Sequence, residues 1–408
     1  MSKKRLIIIL TSIVITIIAI AAVLHFFGER QLLVSVIAGD TNQTYNNEFD
    51  YKIIKKVNNG YDSNYLVSPL SMGFALSMLN EGANEITKEE IDNLLGNYQL
   101  LRVNNIKDRI GIANAIFINN SYKNKINKEY KDTLNSKYGA EIIFDSFNGP
   151  KKVNEWVNKK TFKMIPNTLD RLDASNVFVL VNTIAIDLEW EKEFNKNATH
   201  SQEFNLNDGS VMNSAMMSAS NNVSYIKSDN AQGIIKKYKS YDEESHLEYI
   251  AILPNGDTKE YINNFNDDEY KKLLKSERKA DGKELTVNYD LPKYTYDFKY
   301  SNFKTDLIDL GIKSAFGPNA NFAKISNELS LYVDDAIHKT HIEVSEKGTK
   351  AAAVTAITTK NFAAVVEENE VINISFDKPF IYIIKDSRYD NIWFFGTVYE
   401  PMKWEDNK

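Results

Sequence analysis

The chain has 408 residues, 43% of them hydrophobic and 12% aromatic, which supplies a large core and excludes a disordered chain. A formal net charge of −6 argues against nucleic acid as a main partner, and no lysine or arginine cluster stands out as a heparin-like polyanion site. With no cysteine, disulfides, thiolate metal centres and a cysteine nucleophile are excluded, but export is not.

The first five residues (1–5) carry Lys3, Lys4 and Arg5 ahead of an apolar run, 6–27, broken only by Thr11, Ser12, Thr16 and His25. Those 22 residues, at about 1.5 Å of rise each, span a bilayer core, and the basic flank stays cytoplasmic. The run reads as a transmembrane signal anchor. A cleaved signal peptide is the alternative, although Ala19-Ile20-Ala21 lies inside the run instead of after it. Either reading places the rest of the protein at the cell surface or outside the cell. Residues 28–45 read as a linker, and 46–405 as one globular domain without an internal Pro/Gly/Ser spacer or repeat.

Within that domain Phe49, Ile53, Ile54 and Val57 share a helical face, and Ser71–Leu79 forms a dense apolar helix after Pro69. Thr87-Lys88-Glu89-Glu90 predicts a capping box that opens the next helix, with Ile91, Leu94 and Leu95 on its face. Strands are predicted at Ile112–Ile118 and Val177–Ile186, the latter apolar on both faces and therefore central. Asn182 sits in its middle, where a buried amide must find partners. Further strands are expected at Leu247–Leu253, Leu285–Leu291, Leu329–Val333 and Ile372–Ile384, with a helix near Phe303–Leu310. The fold class is α+β with a large, mostly antiparallel sheet.

The sequence holds five histidines, His25, His200, His246, His338 and His341, and no GxSxG elbow, HExxH helix or phosphate-binding glycine loop. His338 and His341 could be read as a metal pair, but in an extended segment residues three apart point to opposite faces, so one structural and one exposed histidine is the reading adopted. Glu367-Glu368-Asn369-Glu370 reads as a solvated acidic loop, and the Asn197 and Asn222 sequons matter only in a host that glycosylates. No catalytic, metal or cofactor residue is assigned, and the chain is read as a non-enzyme.

One stretch, KGTKAAAVTAITTKN (347–361), fits no ordinary category. Its alanines favour helix, Val354, Ile357 and the threonines favour strand, and it has no amphipathic stripe. It follows Glu343-Val344-Ser345-Glu346, and the combination EVSEKGTKAAAVTA resembles the hinge of the serpins. VSPLSMGFALSML (67–79), IANAIFI (112–118), VNEWVNKKTFKMI (153–165), FVLVNTIAIDLEWEKEF (178–194), LPKY (291–294), LGIKSAF (310–316) and ISFDKPFIYIIKD (374–386) match the same family in order. The resemblance covers nearly all of 46–404.

It implies a serpin fold: a main sheet A, smaller sheets, packed helices and an exposed reactive loop. By position, Ser68, Ser71, Asn182 and His338 fall at the polar shutter beneath the main sheet, and Trp190 at the breach where the loop enters it. The hinge is Glu346, Lys347, Gly348, Thr349, Lys350, Ala351, Ala352, Ala353, Val354 and Thr355, with Lys350 standing where the family usually has glutamate. With Thr349 inward, Ala351, Ala353, Thr355, Ile357 and Thr359 follow inward, while Lys350 and Lys360 fall outside. Inserting about a dozen residues adds on the order of ten hydrogen bonds, about 5–15 kcal/mol in all.

Family spacing gives Phe362–Ala363 as the reactive bond, which suits a chymotrypsin-like protease. Lys360–Asn361 is the runner-up, and the long stretch from Phe362 to Pro379 leaves room for another cut. The expected function is suicide inhibition of a serine protease by a monomer, through a covalent complex. The alternative is a membrane-tethered binding protein on the same scaffold that does not inhibit.

Overall fold

Strands that are apolar along their whole length must sit between two covered faces, and LEYIAILP, FIYIIKD and NIWFFGTV are buried at every residue. They form the centre of the fold. The structure, a computed structural model, describes residues 45–100, 105–241, 246–334, 336–349 and 370–407. Its helices are α1 (Glu48–Gly60), α2 (Pro69–Gly82), α3 (Glu85–Leu95), α4 (Lys128–Tyr138), α5 (Lys151–Lys160), α6 (Thr258–Asn264), α7 (Asp267–Lys275) and α8 (Phe303–Asp309). Its first strands are β1 (Leu66–Val67), β2 (Ile110–Asn119), β3 (Glu141–Asp145), β4 (Phe178–Ile186), β5 (Leu188–Glu189), β6 (Thr199–Asn205), β7 (Val211–Ser220), β8 (Ser224–Lys227) and β9 (Ala231–Lys237). Then come β10 (Leu247–Pro254), β11 (Arg278–Lys279), β12 (Leu285–Pro292), β13 (Tyr294–Lys299), β14 (Lys339–Val344), β15 (Gly348–Thr349), β16 (Glu370–Ser375), β17 (Phe380–Asp386) and β18 (Asn391–Val398).

Seven strands form one sheet in the order β1-β18-β17-β10-β9-β8-β11, and four form another, β16-β12-β7-β6. Two further groups, β3-β2-β4 and β13-β14-β15-β5, flank a common cleft. Antiparallel pairing dominates; β2 with β3 and β12 with β16 are parallel.

The apolar helix α2 lies in the middle. Ser68 caps its first turn by accepting the Ser71 amide, and Pro69 occupies a position where no backbone donor is needed. A second, smaller core lies on the other face of β2 and β4, where α5 lays Val153 and Val157 over Phe117 and Val181.

Three expectations are corrected. Thr87 is not an N-cap: α3 begins at Glu85, and the Thr87 hydroxyl accepts the Asn321 amide at 2.9 Å and meets Ser314 at 2.9 Å. Glu90 likewise accepts the Lys313 and Ser314 amides, so tertiary partners take the groups that a capping box would use. Leu329–Val333 is not a strand; Leu331 is buried, and the Val333 amide bonds Ala315 outside any ladder. Ile372–Ile384 is two strands in different sheets, broken before Phe380 by Pro379, which cannot donate to a ladder.

Among the described residues no helix is long and apolar enough to cross a membrane. The run 6–27, on which the anchor expectation rests, lies outside them.

Candidate functional site

The cleft lies between β4–β5 on one side and β14 on the other. Strand β14 alternates, burying Thr340, Ile342 and Val344, while β4 and β5 bring Ile184, Ile186 and Leu188 to the same core. Among the described residues β4 pairs only with β2, whereas β14 pairs with β13 and, through Val344, with β15. After β14 the chain turns at Ser345–Gly348, with the Ser345 amide on the Gly348 carbonyl at 3.0 Å. It returns as β15, wedged antiparallel between β14 and β5, with Thr349 opposite both Val344 and Leu188 and Gly348 opposite Glu189.

Only glycine fits at 348. A Cβ there would lie 2.0 Å from the Leu188 carbonyl oxygen. Thr349 is 2% exposed, and its hydroxyl meets that of Tyr238 at 2.6 Å. The inward orientation of Thr349 is therefore fixed by burial and by a hydrogen bond.

Trp190 closes the top of the cleft. It is fully buried, stacks on Tyr238 with ring centroids 4.7 Å apart, donates its indole N–H to the Ser345 carbonyl at 2.9 Å, and donates its amide to the Lys347 carbonyl at 2.8 Å. The Phe194 amide donates to the Glu346 carbonyl at 2.9 Å. Glu346 itself is buried and accepts from Thr199 at 2.9 Å and pairs with Lys293 at 3.2 Å. Burial works against its carboxylate, but its own backbone amide, with Thr199 and Lys293, holds its pKa below the ordinary value.

Deeper in the cleft Ser68, Ser71, Asn182 and His338 are brought together. The Ser68 amide donates to His338 Nε2 at 3.1 Å, and the Ser68 hydroxyl donates to the Trp393 carbonyl at 2.7 Å. The Ser71 hydroxyl bonds Asn182 Oδ1. Asn182 donates to Asn114 at 2.6 Å, and Asn114 donates to the Tyr138 carbonyl at 2.8 Å. One hydrogen-bond chain thus ties the start of α2 through β4 and β2 to the end of α4. Burial pushes the His338 imidazole down to about 3, so it is neutral, with Nε2 as acceptor. His341, by contrast, pairs with Asp297 at 2.8 Å away from this chain.

Sequence reasoning missed Asn114, Tyr238, Lys293 and Thr199. Asn114 had a signal, an amide inside an apolar strand; the other three lie far along the chain from the groups they meet. Lys350, Ala351, Ala352, Ala353, Val354, Thr355, Lys360, Asn361, Phe362 and Ala363 lie outside the described residues. Glu370, assigned to a solvated acidic loop, begins β16 and forms a bidentate pair with Arg278 at 3.0 and 2.6 Å.

Comparison with known proteins matches residues 44–401 to the family model described as Serpin (serine protease inhibitor). An uncharacterized serpin-like protein of Methanosarcina acetivorans is 28% identical over 88% of this chain and 86% of its own length. Human alpha-1-antichymotrypsin is 28% identical over 88% of each chain. The crystal structure of the thermophilic serpin tengpin in its native state superposes with a TM-score of 0.76 at 29% identity, covering 90% of this chain and 96% of that one.

Proposed function

The chain belongs to the serpin family, and from that premise we propose that it is an extracytoplasmic suicide inhibitor of serine proteases that traps the acyl-enzyme by inserting its cut loop into the main sheet. The observation that carries the reading is the seat of Gly348–Thr349, already the first rung of a strand between β5 and β14. Continued in the same register, Ala351 would face Ile186 and Ile342, Ala353 would face Ile184 and Thr340, and Thr355 would reach Asn182 and His338. These inward positions receive small or uncharged side chains, so insertion buries no charge. Lys350 would point outward opposite Asp187 and Glu343, carboxylates of the opposite sign that complement its charge.

In this mechanism the protease serine attacks the Phe362 carbonyl, an ester forms, and the Ala363 amine leaves. The freed hinge then extends β15 down the cleft, parting the Ser68–His338 and Asn182 contacts on the way. The inserted segment carries the bound protease with it before water can cleave the ester. The chain contributes stored free energy and no catalytic group. A chymotrypsin-like target fits Phe362, and the similarity to alpha-1-antichymotrypsin is consistent with it. The apolar run 6–27 would anchor the protein outside the cytoplasm, or be cleaved on export.

Mixing the protein with chymotrypsin tests the reading. An SDS-resistant complex and a released peptide beginning at Ala363 are expected; a peptide beginning at Asn361 moves the bond to Lys360. Cleavage without complex overturns inhibition and leaves the tethered binding protein. The mass of the mature protein from a membrane fraction shows whether 6–27 is retained.

A further inference from the structure

Lys236, on β9, is 1% exposed, and among the described residues no carboxylate lies within ion-pair distance of its ammonium. Its Nζ donates to the Lys192 carbonyl at 2.8 Å and to the Tyr289 hydroxyl at 3.1 Å. Three aromatic rings surround it, with centroids at 4.6 Å for Phe194, 5.5 Å for Trp190 and 5.7 Å for Tyr289. Two of the residues that supply these walls have another task. Trp190 and Phe194 are the residues whose amides hold the Lys347 and Glu346 carbonyls, and the Trp190 indole holds that of Ser345. The cage of Lys236 and the grip on the hinge are therefore made by one segment, 190–194.

We propose that Lys236 is a positioning residue of the breach: the charge on its ammonium sets how readily the Trp190–Phe194 segment lets go of the hinge.

The surrounding charges favour this assignment. On the segment itself stand Glu191, Lys192 and Glu193. Tyr249 is opposite Lys236 on β10, while Lys237 and its partner Glu248 lie on the other face of the sheet. Tyr289 reaches it from β12, and Glu346 and Lys293 stand on the hinge side. Glu346 is paired with Lys293, Glu193 with Lys239, and Glu248 with Lys237 and Lys385. Burial lowers the Lys236 pKa to about 7, outweighing the field of Glu191, which acts the other way. The closed breach thus accepts the proton less readily than a hydrated lysine at 10.5 does. An opened breach that wets the ammonium gains relative to the closed one as pH falls through that window, by up to about tenfold per unit, and the effect levels off below about 7.

The relevance to inhibition rests on the inhibitor reading, but the test does not. Hydrogen exchange of the peptide 188–196, corrected for intrinsic rate, reports opening of the segment without any loop insertion. In the wild-type protein protection should fall as pH drops from about 9 to about 7, up to about tenfold per unit. Lys236→Met keeps the chain length without the charge and should hold high protection throughout. Lys236→Arg, which does not titrate in this range, should stay low throughout. A wild-type profile flat across the window, or either variant following the wild-type profile, overturns the proposal. If the exchange behaves as expected while nicked protein gains no stability, the inhibitor reading fails and the role of Lys236 in the breach stands.

Discussion

Gly348→Ala probes the first rung directly. The added Cβ would sit 2.0 Å from the Leu188 carbonyl oxygen and 2.8 Å from Glu189 Cα, whereas ordinary contact begins at 3.4 Å. The obstacle is backbone on the strand across the ladder, so the hinge must move by about 1.4 Å. That displacement disrupts the β15–β5 pairing, the Thr349–Tyr238 hydroxyl bond and the Trp190 amide bond to Lys347. Three hydrogen bonds at about 0.5–1.5 kcal/mol each amount to about 2–4 kcal/mol of lost hinge seating. The same clash would persist in the inserted strand, so both resting and cut forms are affected. Exchange protection of 188–190 should fall by about one to three orders of magnitude, which is what that energy implies. The yield of SDS-resistant complex with chymotrypsin should fall in favour of simple cleavage. If Gly348→Ala matched wild type in exchange, complex yield and stability after nicking, the seat of β15 would not be the start of insertion.

Three further outcomes are expected. Ala353→Arg places a guanidinium between Ile184 and Thr340 in the continued register; burying it unpaired costs several kcal/mol, so the variant should be cut by chymotrypsin without forming a stable complex, read on a denaturing gel. His338 is held neutral by burial at about 3 against an ordinary 6.5, so stability is full above about 6.5 and declines by about 1.4 kcal/mol per pH unit as pH falls towards 3. His338→Gln, which can still accept the Ser68 amide, should lose that slope in denaturant titrations. Asp50 on α1 is fully buried, and the nearby Ile392 amide does not make up for the water that its carboxyl has lost. Burial pushes its pKa well up, so its cost appears as pH rises above about 3.8. Asp50→Ala should stabilise the protein at neutral pH, on the order of 1–3 kcal/mol, with the gain vanishing below about pH 4 in thermal melts.

Much of this fold was legible because local signals and tertiary packing agree. The run 177–186 is apolar on both faces, and most of it is a strand covered by α2 on one side and α5 on the other. It is not central as expected, however, but the edge of the group β3-β2-β4 that faces the cleft. Asn182 demanded partners by the cost of a bare buried amide, and it has Ser71 and Asn114. The failures have a common cause. At Thr87 the pattern of a capping box is present, yet Ser314 and Asn321 arrive from more than two hundred residues away and take the hydroxyl. At 329–333 apolar residues pack on the core without joining a ladder, which periodicity cannot distinguish from a strand. Lys236 was invisible for the same reason, since Phe194 and Tyr289 reach it from separate parts of the chain.

The most direct test is a comparison of thermal melts before and after a single cut in the loop that follows Thr349. A stored strand predicts a large rise, since about 5–15 kcal/mol of ladder is added in a protein whose starting stability is of similar size. Identical melting of cut and uncut protein would mean that the cleft between β4 and β14 never receives the loop, and the proposed mechanism would be wrong.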